Sequence, residues 1–561
     1  MKTKKGVGVI KKILLGILLV VVIGGGVAWF NRQAIILYYV TNRGKTDVAP
    51  NRPIEWANGP AEADMAPAER PPNIVFILAD DLGINDISTF GGGIAGGSVP
   101  TPNIDRLAAE GMIFSQAYSG TATCAPSRAM LMTGRYPTRT GFEFTPTPDG
   151  MGRILNMVAD PESSGLPPPD WDRARSETAP PYAEQGLPGS EITIAEVLGD
   201  AGYHTVHIGK WHLGRGDEFG PNAQGFDESL LMASGLFLPE DHPDVVNARV
   251  DFDPVDIFLW ARMQFAASFN GSDWFEPGGY LTDYWTDEAV NVIRANRNRP
   301  FFLYLAHWGV HTPLQATRED YEAVGDIEPH RERVYAAMIR ALDRSVGTVM
   351  DELEAQGLAD NTIIVFSSDN GGAGYIGLPE INAPYRGWKA TFFEGGIRVP
   401  MFLRWPARIA AGSRSENPVA HIDVMPTLAA AAGASLPQGV AIDGVNLLPV
   451  AAGEGEVSRA DDAIFWQSGY YRVIRQGDWK LQVSERPDRA WLYNLAEDPT
   501  EQTNLAERMP QRVAAMRALL DAHRAGGREP LYPYTIEGPV AVDRSLAERV
   551  EEGDEVIFWP I

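Results

Sequence analysis

Short, unbroken apolar runs punctuate the chain and set its predicted architecture. Asn73-Ile-Val-Phe-Ile-Leu-Ala79, Phe301-Phe-Leu-Tyr-Leu305 and Thr362-Ile-Ile-Val-Phe366 show no polar alternation. Runs of this kind, apolar on both faces, predict strands buried in a parallel sheet. Between them the period changes. Val334, Met338, Leu342, Val346, Val349 and Leu353 recur at steps of three and four, and Gly357 follows as a stop signal. That pattern predicts a helix burying one stripe against the sheet. Strands alternating with helices predict an α/β sheet covered on both faces.

After about residue 455 the rhythm shifts. Tyr471–Arg475, Trp479–Val483 and Trp491–Leu495 read as short antiparallel strands, and 508–524 as a helix. The expected organisation is an N-terminal segment over 1–32, a Pro- and Ala-rich linker over 33–70, and a main α/β domain over 71–454. A smaller α+β subdomain over 455–525 and a tail over 526–561 complete it. Two stretches break the α/β rhythm. Residues 141–190 are rich in Pro, Gly and Ser. Residues 235–280 mix acids with bulky apolars, and a helix is expected from Val255 to Phe269. Such excursions form either pocket walls or packed surface, and the sequence leaves both readings open.

At the start, Lys2, Lys4, Lys5, Lys11 and Lys12 precede Ile13–Phe30, which carries no charge. The lysine excess places the N-terminus inside, and no Ala-x-Ala cleavage site is obvious. An uncleaved membrane anchor is therefore favoured over a cleaved signal peptide. Either puts the body outside the cytoplasm, in the periplasm or an equivalent compartment.

Charge narrows the function classes. Lys+Arg is 48 and Asp+Glu is 73 in 561 residues, a formal net charge of −25. That argues against a nucleic-acid partner. An anionic substrate would then require cations gathered locally. The chain has 1 cysteine, Cys124, which excludes an internal disulfide and a Cys-rich metal site.

The candidate chemistry lies at strand ends. Asp80-Asp81 follow the first run, and Ser367-Ser368-Asp369-Asn370-Gly371-Gly372 follow the third. Ligands of open α/β sheets bind at the carboxyl ends of strands. Carboxylates and an amide oxygen converging there suit a hard divalent cation such as calcium, and the scarcity of His and thiolate in the set argues against zinc.

Cys124 sits in Thr123-Cys-Ala-Pro-Ser-Arg128-Ala-Met-Leu-Met-Thr-Gly-Arg135. This resembles the segment of sulfatases in which a cysteine is oxidised to Cα-formylglycine. Gly209-Lys-Trp-His-Leu-Gly214, His311-Thr-Pro313, and Arg386-Gly-Trp-Lys389 with Glu394-Gly-Gly-Ile-Arg-Val-Pro400 resemble further motifs of that family in the same order. Tyr471-Arg-Val-Ile-Arg-Gln-Gly-Asp-Trp-Lys480 is similar to its C-terminal subdomain, so the resemblance spans roughly 71–510.

The resemblance implies an alkaline-phosphatase-like fold: a large mixed sheet flanked by helices, plus a smaller subdomain with an antiparallel sheet. It implies calcium held by Asp80, Asp81, the formylglycine made from Cys124, Asp369 and Asn370. It implies a reaction in which the hydrated aldehyde attacks sulfur, with Arg128 favouring its ionised form. Lys210 and Lys389 would balance charge on the sulfate. His311, with Lys389, would protonate the leaving alcohol, and His212 would take a proton from the second hydroxyl. The implied partners are a sulfated small molecule or carbohydrate and a formylglycine-generating enzyme. A phosphonate monoester or phosphodiester hydrolase of the same superfamily remains an alternative, as does a non-catalytic binder of sulfated glycans. The substrate is not legible. The aromatic-rich 235–280 segment and Tyr375 to Tyr385 are candidate walls that would stack on an aryl or sugar ring, or simply pack as core.

Overall fold

The computed structural model describes residues 4–31, 35 and 46–561. Its centre is a nine-stranded mixed sheet. In chain order the strands are β1 (Asn73–Ala79), β2 (Met112–Phe114), β3 (His204–Gly209), β4 (Glu228–Ser234), β5 (Gln264–Phe269), β6 (Phe301–Ala306), β7 (Thr362–Ser368), β8 (Met401–Arg404) and β9 (Ser413–Ser415). Across the sheet they run β9-β2-β8-β7-β1-β6-β3-β4-β5. The central strands β7, β1, β6, β3 and β4 are parallel, and antiparallel β8 and β5 flank them.

The unbroken apolar runs have the predicted cause. Along β1, Val75, Ile77 and Ala79 face one core, which takes in the helices Leu281–Asn296 and His330–Ala355. Ile74, Phe76 and Leu78 face the other, built on the helices Cys124–Thr133, Ile194–Asp200 and Val424–Ala432. Every residue of β1 is buried, so neither face needs a polar partner. Full burial of each large apolar side chain contributes about 1.5–3 kcal/mol.

Beyond residue 460 a second sheet forms from Ala463–Ser468, Tyr471–Gln476, Trp479–Glu485 and Asp488–Asn494, all antiparallel. The helix Pro510–Ala525 covers it through Met516 and Leu520. The expected architecture, a large mixed sheet between helices with a smaller antiparallel C-terminal subdomain, is the one the chain adopts. The two parts are tied by buried ions. Lys480 Nζ lies 2.8 Å from Glu394 Oε1 and 3.0 Å from Glu501 Oε1, with all three side chains fully enclosed.

Several expectations are corrected. The helix expected over Val255 to Phe269 stops early: Pro254–Arg262 is helical, and Gln264–Phe269 is the edge strand β5. Pairing with β4 overrides the helical pattern there. The C-terminal residues carry strands Ile536–Ala541 and Val556–Pro560, which join Asp170–Trp171 in a three-stranded sheet. Within the expected linker, Trp56 is buried and donates its indole N–H to Glu288 Oε2 at 2.7 Å. At the N-terminus Lys4–Phe30 is helical, with Leu14, Leu15, Ile17 and Leu18 exposed. The side chains of Ile13, Val20 and Phe30 lie outside the described residues, and among the described ones no helix is long and apolar enough to cross a membrane. The expected anchor thus finds no support in the structure.

Candidate active site

The register of the central strands gathers the site. Ala79 of β1 pairs with Ser368 of β7, so Asp80-Asp81 and Asp369-Asn370 leave the sheet side by side. Gly209 of β3 pairs with Ala306 of β6, which sets Lys210 just past one strand and the His307–His311 turn just past the other. The helix Cys124–Thr133 closes the space from one side and presents Cys124 at its first turn, where the helix dipole favours negative charge. His421 fixes that helix to β7. Its two ring nitrogens lie 3.2 Å from Ser127 Oγ and 3.0 Å from Ser367 Oγ.

The predicted residues converge. Cys124 Sγ is 3.5 Å from Asp80 Oδ1, 3.8 Å from Asp81 Oδ1 and 3.3 Å from Lys389 Nζ. The Arg128 guanidinium donates to Asp369 Oδ2 at 2.8 Å, to Asp80 Oδ2 at 3.3 Å and to the Lys210 carbonyl at 2.9 Å. Lys210 Nζ lies 2.5 Å from Asp80 Oδ2, and Lys389 Nζ 2.7 Å from Asp81 Oδ1. Asn370 donates to Asp81 Oδ1 at 2.7 Å. His212 stands apart from these bonds. Its Nδ1 is buried without a hydrogen-bond partner, and it borders the same cavity as Cys124 and Lys389.

Burial and charge set the protonation states. Burial alone would raise the Asp81 carboxyl, yet Lys389, His311 and Lys210 hold it well below the usual range. Burial pushes the Cys124 thiol up, and the Asp369 carboxylate adds to it. Burial lowers His311 to about 3, so its imidazole is neutral at neutral pH. Its Nδ1 lies 2.6 Å from the Thr312 carbonyl, which only accepts, so Nδ1 carries the hydrogen. The lone pair on Nε2 then faces Lys389 Nζ at 3.3 Å. Burial, then Lys210 and Arg128, also hold His212 well below its ordinary value.

Asp80, Asp81, Cys124 and His311 each offer a ligand atom, all within 4.8 Å of one another and all buried. Asn370 Oδ1 is buried with no hydrogen-bond partner, an acceptor left open beside that group. An amide oxygen and carboxylates with no second thiolate fit a hard cation. The charges agree: Asp80, Asp81 and Asp369 are matched by Arg128, Lys210 and Lys389. A divalent cation would leave the site net positive, as an anionic ester requires. Asp81 and His212 also hold positive φ, 58° and 65°. Left-handed backbone at non-glycine residues is uncommon and concentrates at functional sites.

Two neighbours have no motif of their own. Tyr375 donates its hydroxyl to Asp81 Oδ2 at 2.7 Å and accepts from Lys389 Nζ at 3.2 Å. Trp308 stacks on His311, ring centroids 4.0 Å apart, and lies beneath Lys210 Nζ at 4.6 Å. The sequence offered Tyr375 only as the start of a candidate wall, and for Trp308 the one signal was its position between His307 and His311. His307 itself points elsewhere, to Ser345 Oγ at 2.9 Å.

Comparison with known proteins agrees with this geometry. The family model described as Sulfatase matches residues 72–434, and that described as N-sulphoglucosamine sulphohydrolase, C-terminal, matches 386–524. The chain is 35% identical to N-acetylgalactosamine-6-sulfatase of Homo sapiens over 388 residues, covering 68% of this chain and 66% of that protein. It is 31% identical to steryl-sulfatase of Homo sapiens over 493 residues, covering 77% and 78%. Among solved structures, that of Ps i-CgsB aligns with a TM-score of 0.68 at 32% identity, covering 82% of this chain and 95% of that one. The same protein has been solved in complex with k-i-k-neocarrahexaose. The strand-end acids, the cations set against them and the match across 72–434 lead to one conclusion: the chain belongs to the sulfatase family, the hydrolases of sulfuric esters.

Proposed function

We propose that this protein hydrolyses a sulfate ester through a formylglycine derived from Cys124, assisted by calcium. The observation that carries this reading is the convergence on Cys124 of Asp80, Asp81 and Lys389, with Asn370 Oδ1 open beside them. The hydrated aldehyde would supply the oxygen that attacks sulfur. Asp80, Asp81, residue 124, Asp369 and Asn370 would hold calcium, which when bound would supply positive charge beside residue 124 and the sulfate.

The chain's own residues do the rest. Lys210 and Lys389 place ammonium groups against the sulfate, and Arg128 holds Asp369 and Asp80 in position. In a closed, water-poor site such donors act without reorganising during the reaction. Lys389 holds a proton between His311 Nε2 and the leaving alcohol, which fits the neutral imidazole. Burial and Lys210 keep the His212 imidazole neutral, and its Nδ1 lacks a protein partner, so a ring nitrogen is open to take the second hydroxyl's proton. Substrates named for the relatives, an N-acetylgalactosamine 6-sulfate and a sterol sulfate, bracket a broad class for this chain.

Export is part of the same reading, since the lysine-rich start and apolar run support a location outside the cytoplasm. A maturation enzyme must then reach Cys124 before folding encloses it, because it is only 3% exposed in the folded chain. Purified protein is expected to release sulfate from an aryl sulfate far faster than phosphate from an aryl phosphodiester. Chelation should lower that rate at least about tenfold, and calcium should restore it. Full activity in chelator would remove calcium from the account, and preference for the phosphodiester would remove sulfate.

A further inference from the structure

The cations at the sulfate end say nothing about the alcohol that carries the sulfate. The cavity does. It opens from Cys124, Lys210 and Lys389 into a volume of about 630 Å³, large enough for a multi-ring ligand. Its far wall comes from the helices Met151–Val158 and Pro254–Arg262, in the two stretches whose role the sequence left open, and from the strand Ile536–Ala541 in the expected tail. Leu155, Phe258, Leu259 and Ile536 form one apolar cluster there, with Val255 and Met263 packed against it. All six border the cavity.

Away from the sulfate end, the buried or half-buried polar side chains Asp253, Gln185 and Gln264 are already engaged. Both carboxylate oxygens of Asp253 accept from the Val255 and Asp256 backbone N–H groups. Gln185 accepts from Thr147 N at 2.9 Å and donates to the Pro180 carbonyl at 2.8 Å. Gln264 exchanges hydrogen bonds with Thr46. The charged lining residues Asp149, Asp160, Arg215, Arg262 and Glu548 are exposed, and Arg544 is paired with Asp554. A sulfated sugar brings hydroxyls around its ring, and each one buried without a partner is costly. An apolar ring system costs nothing of that kind and gains burial.

Resting on the sulfatase reading, we infer that the alcohol is largely apolar and of aryl to steroid size, its sulfate held by Lys210 and Lys389 and its rings by the Leu155–Phe258–Ile536 wall. The test uses purified full-length protein with formylglycine at position 124 verified. The kcat/KM values for a steroid 3-sulfate, a small aryl sulfate and N-acetylgalactosamine 6-sulfate are compared. The apolar esters should exceed the sugar ester by at least about tenfold. Val255→Glu, which brings a charge to the wall, and Val540→Trp, which fills cavity space on the same strand as Ile536, should each lower the steroid value about tenfold to a hundredfold. Circular dichroism and thermal unfolding matching the parental protein report that the variants fold, and the small aryl sulfate, which reaches less of the wall, should fall less than the steroid. Equal or faster turnover of the sugar sulfate, or an unchanged steroid-to-aryl ratio in both variants, would overturn the inference and leave the sulfatase reading intact. No sulfate release from any ester by formylglycine-bearing protein would overturn both.

Discussion

Cys124→Ala protein is expected to fold, to bind calcium more weakly, and to lose sulfatase activity by at least about 10⁴-fold. The side chain is small and buried at the first turn of its helix, so removing its sulfur costs little packing. The chemistry has no substitute. Burial and the Asp369 carboxylate keep the thiol protonated, so an unmodified cysteine here is a weak nucleophile. Serine in its place restores a hydroxyl but not the second one that lets sulfate leave, and Cys124→Ser should be nearly as inactive. The checks are sulfate release and the circular dichroism of each variant. A Cys124→Ser enzyme turning over at the parental rate would contradict the need for the aldehyde.

Arg128→Ala should fail in two ways at once. The guanidinium is fully enclosed between Asp369 and Asp80 and also donates to the Lys210 carbonyl. Removing it leaves buried acids without their counter-charge, a change that costs about 3–5 kcal/mol in stability. Asp369 already sits above its ordinary range, from burial first and the Asp80 carboxylate next, and would rise further without the guanidinium that opposes them. Activity should fall with stability because Asp369 and Asp80 would no longer be held against the helix that carries residue 124. Arg128→Lys should recover little, since an ammonium cannot span both carboxylates and the carbonyl. Denaturant unfolding beside sulfate-release kinetics checks both effects, and a variant with unchanged unfolding would show that the pair is not structural. Calcium should recover part of the stability lost, by supplying charge to the same acids.

Much of this site was legible because its residues lie one or two positions beyond apolar strands. The runs ending at Ala79 and Phe366 announced where Asp80, Asp81, Asp369 and Asn370 would emerge, and parallel register brought them together. Residues 235–280 were harder. Val255 to Phe269 has helical spacing, but Gln264–Phe269 finds an open edge of β4, and pairing outweighs propensity. Tyr375 and Trp308 reach the site through long-range folding of turns, which no local period encodes. The same holds for Ile536–Ala541, whose place on the cavity wall depends on pairing with Asp170–Trp171.

The central claim is that residue 124 acts as an aldehyde and not as a thiol. Mass spectrometry of the peptide spanning Cys124, taken from protein of measured activity, tests it most directly. The account predicts the formylglycine mass, in a fraction that scales with activity across preparations made with and without the maturation enzyme. Fully active protein whose peptide carries only the unmodified thiol would contradict it.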